Sequence, residues 1–292
     1  MYCTIRIRQG RLFLAISIIT AFLLLASTFL HMFISYTAST SVKEGAKVPI
    51  IMYHSILKDS KRHGKFVISP DTFENDLKYL TEHGYTTIVM QDLIDYVNGG
   101  TLPEKPVMLT FDDGYSNNYL YAYPLLQKYG CKMVLSPIVR NVEESTQSQD
   151  TNPNYAQCSW DQLKEMSDSG LVELQNHSYN MHTNTGGRNG TKKKKGESDE
   201  AYRQAFTEDV RKAQEAFQEN IGKQPTTFAY PFGAVSNVSV NYLKEMGFQA
   251  TLTCENKMNY IRQEPEALFG LYRFLRPSGS TSEQFFSKVL NS

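Results

Sequence analysis

Thr110-Phe111-Asp112-Asp113-Gly114-Tyr115 closes an apolar run, Val107-Met108-Leu109, with two adjacent carboxylates and a glycine. Like charges at that spacing raise each other's pKa unless a cation or a strong donor lies between them. The arrangement therefore suits a metal site in which one carboxylate binds the ion and the other is free to move a proton. A polar turn, Asp-Asp-Gly-Tyr, closing a strand accounts for the same residues. Both readings stand on this stretch alone.

The surroundings of this stretch set the fold class. Upstream, Val48-Pro49-Ile50-Ile51-Met52-Tyr53 reads as a buried strand that delivers His54 at its end, where a histidine is structural or catalytic. Ser69 caps a helix with Pro70 at its first position and Phe73, Leu77 and Leu80 on one face, and Gly84 stops it. Residues 85–89 read as a strand, 92–97 as a short helix and 106–111 as the strand carrying the aspartates. Downstream, 117–129 is a helix, 133–135 a strand, 141–154 a polar loop, 160–169 a helix and 171–174 a strand ending at Asn176-His177-Ser178. A loop over 183–199 holds four consecutive lysines, 192–195, which are either solvated or in contact with an anionic part of a polymer. A helix over 200–220, a strand over 226–230 followed by Pro231-Phe232-Gly233, a helix over 239–246, strands over 248–253 and 271–275 and a closing helix over 281–290 complete the chain. This alternation predicts an α/β fold with a mainly parallel sheet or barrel, in which functional residues gather at the C-terminal ends of strands. His54, Asp112 with Asp113, His177 and Tyr230-Pro231-Phe232-Gly233 all fall at such ends.

His177 and His182 lie in His-Ser-Tyr-Asn-Met-His. On a helix they would point about 140° apart and on a strand to opposite faces, so they reach one ion only from a turn. Two imidazoles and a carboxylate would leave positions open for water and substrate; two surface histidines on a polar loop is the alternative.

Composition bounds the rest. With 41% hydrophobic residues in 292, the chain can bury one large core, and 30 basic against 30 acidic residues give no overall field that favours nucleic acid. Arg6, Arg8 and Arg11 precede an uncharged apolar run from Leu12 to Leu30. Its length fits a bilayer span of roughly 20 residues and exceeds a signal-peptide core, so it reads as an uncleaved signal anchor with the arginines on the cytoplasmic side; a cleaved signal peptide is the other reading. The expected organisation is a cytoplasmic tail (1–11), a transmembrane segment (12–36), a polar linker (37–47) and an extracellular domain (48–292) held at the cell membrane. Cys131, Cys158 and Cys254 then lie outside, an odd number that allows one internal disulfide at most, and no Cys-x-x-Cys pair suggests a cysteine zinc site.

Thr110-Phe111-Asp112-Asp113-Gly114, His177-Ser178-x-x-x-His182 and Phe228-Ala229-Tyr230-Pro231-Phe232-Gly233, in this order, resemble the motifs of the NodB-homology polysaccharide deacetylases, carbohydrate esterase family 4. The resemblance covers roughly residues 48–275. Tyr53-His54 is similar to the branch that includes the poly-N-acetylglucosamine deacetylases. The resemblance implies a distorted (β/α) barrel with one divalent ion, usually zinc, held by Asp113, His177 and His182. It also implies Asp112 as general base and the backbone N–H of Phe232 in an oxyanion hole. Two departures stand out: Ala229 occupies the usual arginine position, and no histidine follows His182. His54 is therefore the candidate general acid, and Arg273 the candidate replacement for the arginine near Asp112. The function expected is metal-dependent removal of N-acetyl groups from N-acetylglucosamine units of an extracellular cell-wall or biofilm polysaccharide. A catalytically inactive carbohydrate-binding barrel and an O-acetyl esterase acting on xylan-like polymers are the alternatives.

Overall fold

The computed structural model describes residues 14, 16, 18–29 and 45–291. Residues 18–29 are helical, apolar and exposed. Among the described residues, no helix is long and apolar enough to cross a membrane; the rest of the expected span 12–36, the tail 1–11 and most of the linker lie outside them.

From Gly45 onward the chain forms one compact unit. Its strands are β1 (Ala46–Val48), β2 (Ile50–Tyr53), β3 (Ser55–Ile56), β4 (Val67–Ile68), β5 (Thr86–Ile88), β6 (Pro106–Asp113), β7 (Met133–Pro137), β8 (Val172–Leu174), β9 (Thr227–Ala229), β10 (Ala250–Leu252), β11 (Asn259–Ile261) and β12 (Phe274–Leu275). Its helices are α1 (Pro70–Glu82), α2 (Met90–Val97), α3 (Tyr123–Tyr129), α4 (Val139–Ser148), α5 (Trp160–Asp168), α6 (Asp199–Ile221), α7 (Ser239–Glu245) and α8 (Ser282–Leu290). β12, β2, β6, β7 and β8 are parallel neighbours in that order, and β5 pairs with the first half of β6. β9 and β10 form a separate parallel pair. Single bridges, Asn176 to Phe228 and Leu252 to Leu271, join that pair to the end of β8 and to the segment leading into β12. The barrel is distorted because two of its seams are held by one bridge each. At the first seam the Gln175 side-chain oxygen takes over as a strand would, accepting from the N–H groups of Thr226 and Thr227 at 3.0 and 2.8 Å.

β6 is the central strand, buried at every position. Its alternation explains the layers: Val107, Leu109 and Phe111 pack outward under α1, α3 and α5, while Met108 packs inward with Val48, Ile50, Val134, Ala229 and Leu252. Thr110 and Asp112 share that inward face. A third cluster, Tyr202, Phe206 and Val210 of α6 with Phe228 and Phe248, closes the side beyond β9.

Most elements match the sequence reading within a residue or two; three differences are physical. Residues 141–154, expected as a loop, instead contribute to α4: Val139 and Val142, one turn apart, anchor it, and Arg140 pairs with Glu144 on its outer face. The expected helix from 117 begins as a π-turn over Asn118–Ala122 and becomes α-helical only at Tyr123. Ala46 and Lys47, at the end of the expected linker, already pair in β1 with β11, antiparallel. Cys131, Cys158 and Cys254 are free thiols.

Candidate active site

The end of β6 turns the two aspartates in different directions. Asp112 continues the inward face, whereas Asp113 has φ 70° and Gly114 φ 81°, so the chain reverses and tips the second carboxylate toward β8. Gly114 is required twice over: positive φ favours glycine, and a Cβ there would meet the Pro137 Cβ at 2.5 Å.

Asp112 is buried, and Arg273 grips it with both arms, Nη1 to Oδ1 at 2.7 Å and Nη2 to Oδ2 at 2.8 Å. Arg273 is itself fully buried and fixed by its Nε donating to the Thr253 carbonyl at 2.8 Å. Burial pushes the Asp112 carboxyl up, but the guanidinium outweighs it and holds the group below the usual carboxylate range. Asp113 has no such partner; burial, and to a smaller degree the negative charge of Asp112, raise it to about 6. Burial, then the Asp113 charge, push the Tyr115 hydroxyl up to about 12.

His177 and His182 sit on a turn, as the spacing requires. Ser178 takes φ 74°, its N–H donates to the Asn176 side chain at 2.8 Å, and its hydroxyl accepts from the Met181 N–H at 3.1 Å. From α6, the Asp209 carboxylate accepts the N–H groups of Tyr179 and Asn180 at 2.9 and 2.8 Å, so the centre of the turn is held by one residue. The ring centroids lie 5.0 Å apart. His177 Nδ1 donates to the Ala229 carbonyl at 2.7 Å, which leaves Nε2 as the lone-pair nitrogen. That nitrogen is 3.6 Å from Asp113 Oδ1, and His182 Nε2 is 3.4 Å from the same oxygen. Burial lowers both histidines, His177 to about 3, so both are neutral near pH 7.

The residues therefore fit a cation. The ligand atoms of Asp113, His177 and His182 lie within 4.8 Å of one another, and buried Asp113 Oδ1 has no hydrogen-bond partner. The His177 Nε2 lone pair and the carboxylate oxygen it faces repel unless something positive lies between them, and two nitrogens with one oxygen suit a zinc-like divalent ion with open positions.

These groups line an open cleft of about 770 Å³. His54 lines it too; its Nδ1 is buried without a partner and its ring lies 4.8 Å from Phe66. Phe232 has φ 58°, stands 47% exposed at the mouth and packs on His182 with centroids 4.2 Å apart. Thus His54, Asp112, Asp113, His177, His182 and Phe232 all come together at one cleft. Ala229 is buried in the barrel interior, and Arg273 reaches the carboxylate from the segment before β12. Sequence reasoning missed Asp209 and the Arg62–Phe66 stretch. The second had a visible signal, the basic residues Lys58, Lys61, Arg62 and Lys65 in the segment that follows Tyr53-His54.

A sequence model of the polysaccharide deacetylase family matches residues 99–251, just over half of the chain. The poly-beta-1,6-N-acetyl-D-glucosamine N-deacetylase of Staphylococcus aureus strain MRSA252 is 27% identical over 198 residues, covering 68% of this chain and 64% of that protein. The Escherichia coli K12 protein of the same name is 25% identical over 259 residues, 82% of this chain and 38% of that protein. The chain thus spans less than two thirds of the length of the curated relatives it matches. Among solved structures, the de-N-acetylase from Aggregatibacter actinomycetemcomitans aligns with a TM-score of 0.69 at 27% identity, over 84% of this chain and 99% of that one.

Proposed function

The chain belongs to the polysaccharide deacetylase family, and from that premise we propose that it hydrolyses N-acetyl groups from N-acetylglucosamine units of a poly-β-1,6-linked extracellular polymer. The observation that carries this reading is the pairing of two unlike carboxylates. Asp112 is held ionised by Arg273, while Asp113 faces two neutral imidazole nitrogens that call for a cation. The names of the relatives supply the substrate class.

In this mechanism Asp113, His177 and His182 would hold a divalent ion, zinc by its donor set, which would supply polarisation of the amide carbonyl and a lowered pKa for water. Asp112 is the general base. Arg273 keeps it unprotonated and fixes both its oxygens, so it accepts the water proton without reorienting. The Phe232 N–H steadies the negative oxygen that forms at the carbonyl carbon. His54 gives a proton to the departing nitrogen, so water and amide become acetate and a free amine. Residues 12–36 anchor the chain in the cell membrane with the barrel outside, a placement supported by the three N-terminal arginines and the apolar run after them.

The test is acetate release from β-1,6-linked N-acetylglucosamine oligomers by the full-length protein, with zinc, with chelator and with Asp113→Asn. Release that needs metal and is lost in the variant is expected. Release that persists unchanged in Asp113→Asn, or that occurs only from acetylated xylan, would refute the proposal.

A further inference from the structure

One wall of the cleft is basic. The segment between β3 and β4, residues 58–65, carries Lys58, Lys61, Arg62 and Lys65 against a single acid, Asp59, in a chain whose total charge balances. Arg62 and Lys65 line the cleft beside Phe66. Arg62 meets Asp59 only at 3.9 Å, with both side chains about half exposed, a contact too loose to cancel its charge. The Lys65 ammonium lies 5.0 Å over the Phe66 ring, which holds a cation without neutralising it. Among the described residues lining the cleft, Asp112 and Asp113 are the only carboxylates, and Asp112 is matched by Arg273. Phe66 is 45% exposed and packs on His54. Phe66, Arg62 and Lys65 line the same cleft as Asp112, His54 and Phe232, so a sugar unit resting on that ring would lie beside both cations and next to a unit whose acetyl group is placed among Asp112, His54 and Phe232.

This has a consequence for a polymer that changes charge as it reacts. On the deacetylase reading, on which this inference rests, each turnover replaces a neutral amide with an amine that is protonated in mildly acidic buffer. We propose that Arg62 and Lys65 make the cleft refuse a strand whose unit next to the reacting one already carries a free amine. The product then holds separated amines rather than runs of them. Neutral units pass, and an anionic substituent at that position is favoured. Like charge set against the wrong ligand is an established route to specificity, and screening limits it to close neighbours, since the Debye length is about 8 Å at physiological ionic strength.

The experiment compares kcat/KM for acetate release by the full-length protein on three β-1,6-linked glucosamine pentamers: fully N-acetylated, with one free amine at a defined internal unit, and with that amine N-succinylated. Tandem mass spectrometry locates the acetyl group removed from the unit beside the substituted one. The wild type is expected to prefer the acetylated over the amine-bearing pentamer by about tenfold at low salt, shrinking in high salt, with the succinylated pentamer at least as good as the acetylated one. Arg62→Gln with Lys65→Gln should bring the ratio close to one, and Arg62→Glu with Lys65→Glu should invert it. A ratio that is the same in the wild type and the charge-reversed variant, or a wild-type ratio near one, overturns the inference and leaves the deacetylase reading intact. Failure to release acetate from the fully acetylated pentamer in the presence of zinc overturns that reading and this inference with it.

Discussion

Replacing Arg273 with methionine tests the electrostatics of the site directly. The guanidinium and the Asp112 carboxylate are 0% and 2% exposed and meet in two bonds of 2.7 and 2.8 Å. Removing one partner of such a pair leaves an uncompensated buried charge, which costs about 3–5 kcal/mol. For a domain of this size each kcal/mol moves Tm by roughly 2–4 °C, so a fall of roughly 6–20 °C is expected. The pH dependence should change sign. In the wild type Asp112 is held below its unfolded value, so its contribution is fully present above a pKa of about 3.9 and is lost only as pH falls through the lower folded value. Without Arg273 burial is opposed only by the smaller influence of His177 and His54; the folded value is then expected to rise above the unfolded one, and the variant to lose stability as pH rises through the carboxylate range. Thermal unfolding of Arg273→Met, Asp112→Asn and the double variant, each across a pH series, measures both effects. The double variant should be more stable than Arg273→Met, because it removes the orphaned charge. If Arg273→Met lies within about 1 kcal/mol of the wild type and its pH curve runs parallel, the pair is not holding Asp112 ionised and the assignment of Asp112 as general base loses its physical basis.

Asp209→Ala removes the carboxylate that orients the His177–His182 turn through two N–H groups, and zinc affinity measured by competition with a chromogenic chelator should fall about 10–100-fold, the usual cost of losing a group that holds metal ligands in place; unchanged affinity would show that the turn keeps its shape alone. Burial raises Asp209 itself from 3.8 to about 6, so its contribution to stability is full below the unfolded value and is lost as pH rises through about 6. Relative to Asp209→Asn, the wild type should therefore lose up to ~3 kcal/mol between about pH 4 and pH 7, read from urea unfolding. Asp76→Ala strands the fully buried Arg276, which that carboxylate binds at 2.9 and 3.0 Å; a loss of about 3–5 kcal/mol is expected, and a loss below about 1 kcal/mol would mean that Pro277 and Ser280, its other partners, suffice.

What the sequence reveals about this molecule follows from the range of each interaction. β6 is legible because a strand buried on both faces needs an apolar run, and Asp112-Asp113-Gly114 after Val107-Met108-Leu109 can only mark its end. The His177–His182 turn is legible by exclusion, since neither regular element brings residues five apart to one point. Loop and helix are harder to separate over 139–148, where two valines suffice to seat an otherwise polar α4. Asp209 and Arg273 are harder still, for each acts on a partner distant in sequence, 30 residues from Tyr179 in one case and 161 from Asp112 in the other. The Ala229 departure shows why such a distance matters. What a buried Asp112 carboxylate needs in order to stay ionised is a guanidinium, and that need does not specify which strand supplies it. An arginine on β9 and one entering β12 can both reach the inward face of β6, because all three line the same barrel interior. A motif compared position by position registers a loss at Ala229, while the barrel, by closing on itself, delivers the same charge to the same carboxylate from its far seam.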